Sequence, residues 1–251
     1  MKRKLIAAIA CRNSGSRLFG KPLQNLDIKK PLTILEYQLK NLKQLKFIKE
    51  IVLGISYGNE NQIFIDLAKK YKIKYILGDQ KDVLSRLIKC GNLVGATDIF
   101  RVTSESPFTY LKDASKLWKK HILCNYDATF LDNIIDGCGY EIINLSSLKF
   151  SHKFGISKHR SELCTLYIRE NLEKFKVNKV YPRSIFCRKD LRLTVDYPED
   201  LVVCREVYKF ILKNKMKSLS LEKIINFLDK RKDLKKLINP FVISGYKKMY
   251  K

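Results

Sequence analysis

Residues 11 to 27 read CRNSGSRLFGKPLQNLD, and Gly15, four intervening residues, Gly20 and Lys21 fill seven of the eight positions of a phosphate-binding P-loop. The eighth position should be Ser or Thr, whose hydroxyl would bind Mg²⁺. It is Pro22, which has neither a hydroxyl nor a backbone N–H to offer a phosphate. The stretch also carries what a P-loop does not ask for: Arg12 and Arg17, with Ser14 and Ser16 between them. Glycines let backbone N–H groups approach an anion closely. Two forked guanidinium groups and a lysine point charge can neutralise a triphosphate. Three cations around glycines, directly after a short apolar run, read as a phosphate cradle of another kind rather than as a basic surface turn.

Two carboxylates complete the chemistry. RVTSESPF places Glu105 just beyond one apolar run, and LTVDYPED places Asp196 at the end of another. Either alone would be a solvated loop acid or a helix cap. Together, beside a phosphate cradle, they suit a divalent metal: Mg²⁺ takes one or two carboxylates and completes its shell with substrate phosphates. His121, His152 and His159 lie outside these stretches and read as surface or half-buried residues.

The elements that must position these residues alternate. LIAAIA (5–10) is short and continuously apolar, as in a strand buried on both faces. Leu32, Leu35, Leu39, Leu42 and Leu45 recur at helical spacing behind a capping box of Thr33 and Glu36. Strands follow at 50–56, 73–78 and 98–103, separated by helical patterns at 59–71 and 82–94. This predicts an α/β fold with a mostly parallel central sheet, right-handed crossovers and helices on both faces. Ligands in such sheets bind beyond the carboxyl ends of the strands, here just after residues 11, 56, 78 and 102. The later chain is less regular. It predicts a strand at 126–131, a turn at 136–139, a helix over 159–175, a buried strand at 192–196, a helix from Pro198, a last helix near 219–231 and then a basic tail. No repeat or Gly/Ser/Pro linker appears, so one domain is expected over 1–251.

Bulk properties narrow the class. The chain has 251 residues, 45% of them hydrophobic, which suits a sizeable core and argues against disorder. No apolar run reaches the ~18 residues of a membrane span. MKRK followed by LIAAIAC faintly resembles an exported leader, but the apolar stretch falls short of the ~7–15 residues such leaders need, so a first strand and a cytoplasmic protein are expected. Seven cysteines without a CxxC give neither a disulfide framework nor a zinc ribbon. Cys11, Cys90, Cys164 and Cys204 read as small core residues. The net charge of +25 would suit a polyanionic partner, yet the lysines are scattered through nearly every segment. Solvated helix faces explain most of it, and nucleic acid is not the expected partner.

The motifs resemble a family. IACRNSGSRLFGKPL is similar to the N-terminal signature of bacterial sugar-acid cytidylyltransferases, and most of all to the spore coat polysaccharide biosynthesis protein F branch. The resemblance continues at GDQKDVLSR (78–86), FRVTSESP (100–107), SELCTLYIRENLEKFK (161–176) and DLRLTVDYPEDL (190–201). It implies a Rossmann-like nucleotidyltransferase fold, CTP as donor, Mg²⁺ as cofactor, an acidic sugar or related surface-polysaccharide precursor as acceptor, and a homodimer. It assigns the nucleotide to residues 1–110, with Arg12, Ser14, Gly15, Ser16, Arg17 and Lys21 around the triphosphate and Asp82, Arg86 and Arg101 nearby. Arg12, Arg17 and Lys21 are the implied catalytic cations, and Glu105 and Asp196 the implied metal acids. The acceptor and the dimer contact fall in 111–251, with Glu141 and Glu162 toward the acceptor. The chain departs from the pattern at Phe19 for Pro, Ser104-Glu105 for Gly-Asp, Gly139 for Asp and Leu163 for His.

The implied reaction is attack by an acceptor oxygen on the α-phosphorus of CTP with departure of pyrophosphate. A nucleotide-sugar-dependent glycosyltransferase is the rival enzyme class, but it would want an Asp-x-Asp-type metal motif, and it has less need of the basic loop. A catalytically weakened nucleotide-binding relative is the other alternative, given the altered acceptor half.

Overall fold

Leu5, Ala7, Ile9 and Cys11 face one side of the first strand and Ile6 and Ala8 the other, and each set joins a separate apolar core. This is the physical content of the continuous apolar run: a strand with helices above and below it. In the computed structural model, which describes residues 3–216 and 218–249, the strand is β1 (Leu5–Cys11). It is followed by a hairpin of β2 (Asn25–Asp27) and β3 (Leu32–Thr33), then α1 (Ile34–Lys43), β4 (Ile51–Ser56), α2 (Gln62–Lys70), β5 (Lys74–Gly78), α3 (Val83–Leu93) and β6 (Asp98–Arg101). The second half contains α4 (Ala114–Leu123), β7 (Ala128–Leu131), β8 (Glu141–Asn144), α5 (Leu145–Phe154), α6 (Leu166–Glu170), β9 (Val177–Val180), α7 (Pro198–Lys213), α8 (Leu221–Lys230) and α9 (Lys232–Met249).

Among the described residues, seven strands form one sheet in the order β5-β4-β1-β6-β8-β7-β9. β5, β4, β1 and β6 run parallel, β8 is antiparallel to both its neighbours, and β9 pairs parallel with β7. The sheet is thus mostly parallel, as expected. Helices α1, α2, α4, α7 and α8 cover one face and α3, α5 and α6 the other. The capping box is present: Glu36 donates its backbone N–H to the Thr33 hydroxyl at 3.2 Å, and the Glu36 carboxylate accepts the Thr33 N–H at 3.0 Å. Cys11, Cys90, Cys164 and Cys204 are all buried and free. No described helix is long and apolar enough to cross a membrane.

Three expectations fail. Residues 192–196 form no strand of the sheet, only a parallel bridge between Arg192 and Asp136. Leu191, Leu193 and Val195 are buried in strand-like alternation, but the segment pairs with loops: Leu193 donates to the Asp136 carbonyl at 2.8 Å and Val195 to the Glu105 carbonyl at 3.1 Å. The helix expected over 159–175 shrinks to α6 with 3₁₀ turns at Ser157–Arg160 and Leu172–Lys174. Glu162 gives its carbonyl to Arg101 instead of to a helical ladder. The basic tail is the helix α9, which continues through Pro240.

Candidate active site

The loop after β1 is built from within. Asn13 donates its backbone N–H to Asn61 Oδ1 at 2.7 Å and its side-chain amide to the Glu60 carbonyl at 2.9 Å, which ties the loop to the segment after β4. Gln80, after β5, donates to the Ser14 hydroxyl at 2.9 Å. Gly20 donates to the Asn13 carbonyl at 3.1 Å and closes the loop. Gly20 has φ +60°, and a Cβ at Gly15 would stand 2.6 Å from the Leu18 carbonyl oxygen. Both glycines are therefore required by the path of the loop itself. Residues of the loops after β4 and β5, where chemistry was expected, hold this one in place.

Beyond the carboxyl ends of β1 and β6 lies a cleft of about 260 Å³. Arg12, Ser14, Arg17, Lys21, Arg86, Arg101, Glu105, Glu141, Glu162 and Asp196 all line it. Gly15 and Ser16 are not among its lining residues; they line a separate shallow hollow with Arg12, Ser14 and the exposed Phe19. Asp82 is not among the lining residues. Its carboxylate caps α3, accepting the Ser85 N–H at 2.8 Å, and pairs with His152 at 2.7 Å.

At one end the loop cations meet Asp196. Its Oδ1 accepts Lys21 Nζ at 2.6 Å and Arg17 Nη2 at 3.0 Å, while its Oδ2 accepts from Arg192. The Arg17 guanidinium also lies 5.0 Å from the centre of the Tyr197 ring. Burial alone would raise the Asp196 pKa, but Lys21, Arg192 and Arg17 overrule it and hold it down. Among the described residues no cation hydrogen-bonds Glu105, which accepts from the Ser104 hydroxyl at 2.9 Å and feels Lys21 only at longer range. Burial and the Asp196 charge push its pKa up. Arg192, a residue the motifs did not single out, is buried beneath and also grips Asp136 at 2.6 Å and Asp200 at 3.0 Å. Three carboxylates around one guanidinium are over-charged, and burial with mutual repulsion lifts Asp136 to about 6. Asp200 in turn accepts the backbone N–H groups of Asp196 and Tyr197 at 2.9 and 3.0 Å, joining the site to the start of α7.

At the other end, Glu141 is enclosed by cations. It accepts from Arg101 at 2.9 Å, Arg169 at 3.0 Å and the Thr165 hydroxyl at 2.6 Å. Burial would raise its pKa, yet the two guanidinium groups and Thr165 hold it at about 2. Glu162 is exposed, and its carboxylate lies 3.5 Å from Arg12. Leu163, Leu166 and Leu131 give this end an apolar wall. Arg86 crosses the floor, donating through one nitrogen to the carbonyls of Cys11 at 3.0 Å and Gly54 at 2.7 Å. Its buried Nε has no hydrogen-bond partner. The sequence signal for this close crossing was Gly54 and Gly78: a Cβ at Gly78 would stand 2.6 Å from Arg86 Cγ.

The histidines differ from expectation. His121 is fully buried, bonded to Thr129 and Asp98, and His159 is buried against Glu170. Both serve packing, outside the cleft.

A divalent cation fits only with help. Among the described residues, no group of three or more His, Cys, Asp or Glu side chains is arranged to hold a metal ion. Glu105 and Asp196 provide hard oxygen ligands on one cleft, a set that suits Mg²⁺ when phosphate oxygens supply the rest.

No protein-family model matches the chain. The chain is 29% identical over 235 residues to the uncharacterized protein MJ1063 of Methanocaldococcus jannaschii, covering 93% of this chain and 94% of that one. It is 24% identical over 207 residues to the spore coat polysaccharide biosynthesis protein SpsF of Bacillus subtilis, covering 82% and 86%. Among solved structures it matches a cytidylyltransferase from Leptospira borgpetersenii with a TM-score of 0.80 at 22% identity, covering 93% of this chain and 97% of that one. The fold is that of the Rossmann-like nucleotidyltransferases.

Proposed function

We propose that the protein is a nucleotidyltransferase that moves CMP from CTP to an oxygen of a small sugar-like acceptor and releases pyrophosphate. The observation that carries this reading is the meeting, in one cleft, of three loop cations and two carboxylates drawn from segments far apart in sequence. The likeness to the Leptospira cytidylyltransferase supports cytidine as the base and the likeness to SpsF supports a polysaccharide precursor as the acceptor, which the motif resemblance implies to be an acidic sugar or a relative of one. The resemblance of the motifs to the sugar-acid cytidylyltransferases implies a homodimer.

In this reading Arg12, Arg17 and Lys21 bind the triphosphate. Lys21 and Arg17 neutralise the pyrophosphate as its bond to the α-phosphorus breaks. Arg86 brings a buried positive charge to the floor beside Cys11. Mg²⁺, when bound, would lower the charge on the phosphates, with Glu105 and Asp196 as its protein ligands. Glu141, Glu162 and Arg101 shape the end left for the acceptor, so that the attacking oxygen is held in line.

The test is incubation of the purified protein with each of the four nucleoside triphosphates, Mg²⁺ and a panel of acidic and amino sugars, with pyrophosphate as the readout. CTP-dependent release with one acceptor class is the expected result. No release and no nucleotide-dependent thermal shift with any triphosphate would overturn the reading.

A further inference from the structure

We propose that Asp196 holds Lys21 and Arg17 in the place of phosphate, and that it thereby makes the cleft select polyphosphate accompanied by a divalent cation over the bare anion. The proposal rests on the nucleotidyl-transfer reading in taking Lys21 and Arg17 as phosphate ligands.

The geometry is that of an anion already bound. A single oxygen, Asp196 Oδ1, accepts both Lys21 Nζ at 2.6 Å and Arg17 Nη2 at 3.0 Å. A phosphate oxygen would take the same two donors. The other oxygen is held from below by Arg192, whose side chain is 2% exposed and whose remaining nitrogens are spent on Asp136 and Asp200. The Asp196 backbone N–H is also fixed, by Asp200 at 2.9 Å. The carboxylate is therefore the rigid member of the pair. Lys21 and Arg17 sit on the loop and are the members free to change partners.

Consider what each ligand meets. A bare polyphosphate that recruits Lys21 and Arg17 removes both donors from Asp196 Oδ1. It leaves that carboxylate facing new negative charge, with Glu105 on the same cleft. Like charges brought together in a half-buried cleft are strongly unfavourable. A divalent cation alone must enter against an ammonium and a guanidinium that already neutralise its ligand. When the two arrive together the exchange balances: the anion takes Lys21 and Arg17, and the cation takes the place they leave at Asp196. Anion and cation affinities are then positively coupled through one carboxylate, by about tenfold or more.

Titration calorimetry with inorganic pyrophosphate tests this, in EDTA and then in Mg²⁺, on the unmodified protein and on Asp196→Asn. The asparagine is isosteric but carries no charge to hold the loop cations, and Arg192 keeps Asp136 and Asp200. The unmodified protein should bind pyrophosphate at least tenfold more tightly with Mg²⁺ and should show no saturable heat with Mg²⁺ alone. Asp196→Asn should bind bare pyrophosphate at least tenfold more tightly than the unmodified protein and should lose the Mg²⁺ dependence. In Lys21→Met, where one of the gripped cations is gone, the same substitution at Asp196 should gain much less. Bare pyrophosphate binding no tighter in Asp196→Asn overturns the proposal while leaving nucleotidyl transfer intact. Saturable Mg²⁺ binding by the unmodified protein without an anion also overturns it, a result that needs no variant to fold. Failure of every form to bind pyrophosphate under either condition overturns both this proposal and the reading on which it rests.

Discussion

Arg169 sits over Phe130, its guanidinium carbon 3.9 Å from the ring centre, while its two terminal nitrogens grip Asp132 at 2.8 and 2.9 Å. One side chain from the short helix α6 is thus bolted to the end of β7 by a cation–π contact and by a fork-to-fork ion pair. Lysine offers neither the plane nor the fork. Arg169→Lys should lower stability by about 1.5–3 kcal/mol in denaturant melts. It should leave pyrophosphate affinity largely unchanged, because Lys21 and Arg17 meet Asp196 at the opposite end of the cleft. A variant as stable as the parent would show that the pair does not hold this wall together.

Glu141 gives a pH signature. Its folded pKa of about 2 lies below the ordinary 4.5, so its ion pairs stabilise the fold fully above the unfolded value. That contribution is lost as pH falls from about 4.5 through 2 and amounts to roughly 3 kcal/mol. Thermal midpoints should drop across this window, and Glu141→Gln should flatten that part of the curve while starting lower at neutral pH. An acid slope identical in parent and variant would contradict the assignment.

Gly137 is the turn on which the Asp136 and Arg192 segments close. It has φ +89°, and a Cβ there would stand 2.5 Å from the Thr194 backbone nitrogen. Gly137→Ala combines an unfavourable backbone with a clash against backbone that cannot step aside, costing on the order of 1–3 kcal/mol for the strain alone. The expected result is a markedly lower melting temperature and poor yield of folded protein. A melting temperature within a degree of the parent would mean that the turn relaxes.

Lys21 carries the clearest functional expectation. Removing the charge in Lys21→Ala should reduce kcat/KM for CTP by about 10²–10³, in line with loss of one preorganised contact to developing charge. Circular dichroism and the melting temperature should change little, since the residue pairs only at the cleft. Full activity in this variant would move the phosphate site away from the loop.

The sheet and the site differ in how much of them the residues announce. β1, β4, β5 and β6 are short apolar runs between amphipathic helices, so their places along the chain and their parallel sense follow from the alternation, while their order in the sheet does not. The Thr33–Glu36 capping box is legible because both partners are three residues apart. The hairpin strands β2 and β3 escape because they are only three and two residues long, and β8 and β9 escape because no alternating helix sets them off in the irregular second half. Segment 192–196 has the alternation of a strand, and nothing local tells whether its neighbour is a strand or a loop. The same limit applies to the cleft. Arg12, Arg17 and Lys21 stand out through spacing, but Arg192 is recognisable only once Asp136 and Asp200 are seen to converge on it from different segments. Asp82 shows the reverse: it lies in a matched motif, and local geometry spends it on a helix cap.

The loop is fastened at both ends. Asn13 is pinned to residues 60 and 61, and Arg205 of α7 donates to the Asn25 carbonyl at 2.8 Å. If Lys21 and Arg17 let go of Asp196, the stretch between those two fastenings can flex but cannot swing away. Partner exchange then needs no rotation of one half of the molecule against the other. Its clock is that of side chains and a short loop, nanoseconds to microseconds, well ahead of the microsecond-to-millisecond motions of domains. Admission of the anion should therefore proceed at the rate of encounter, without a slow isomerisation step in stopped-flow traces.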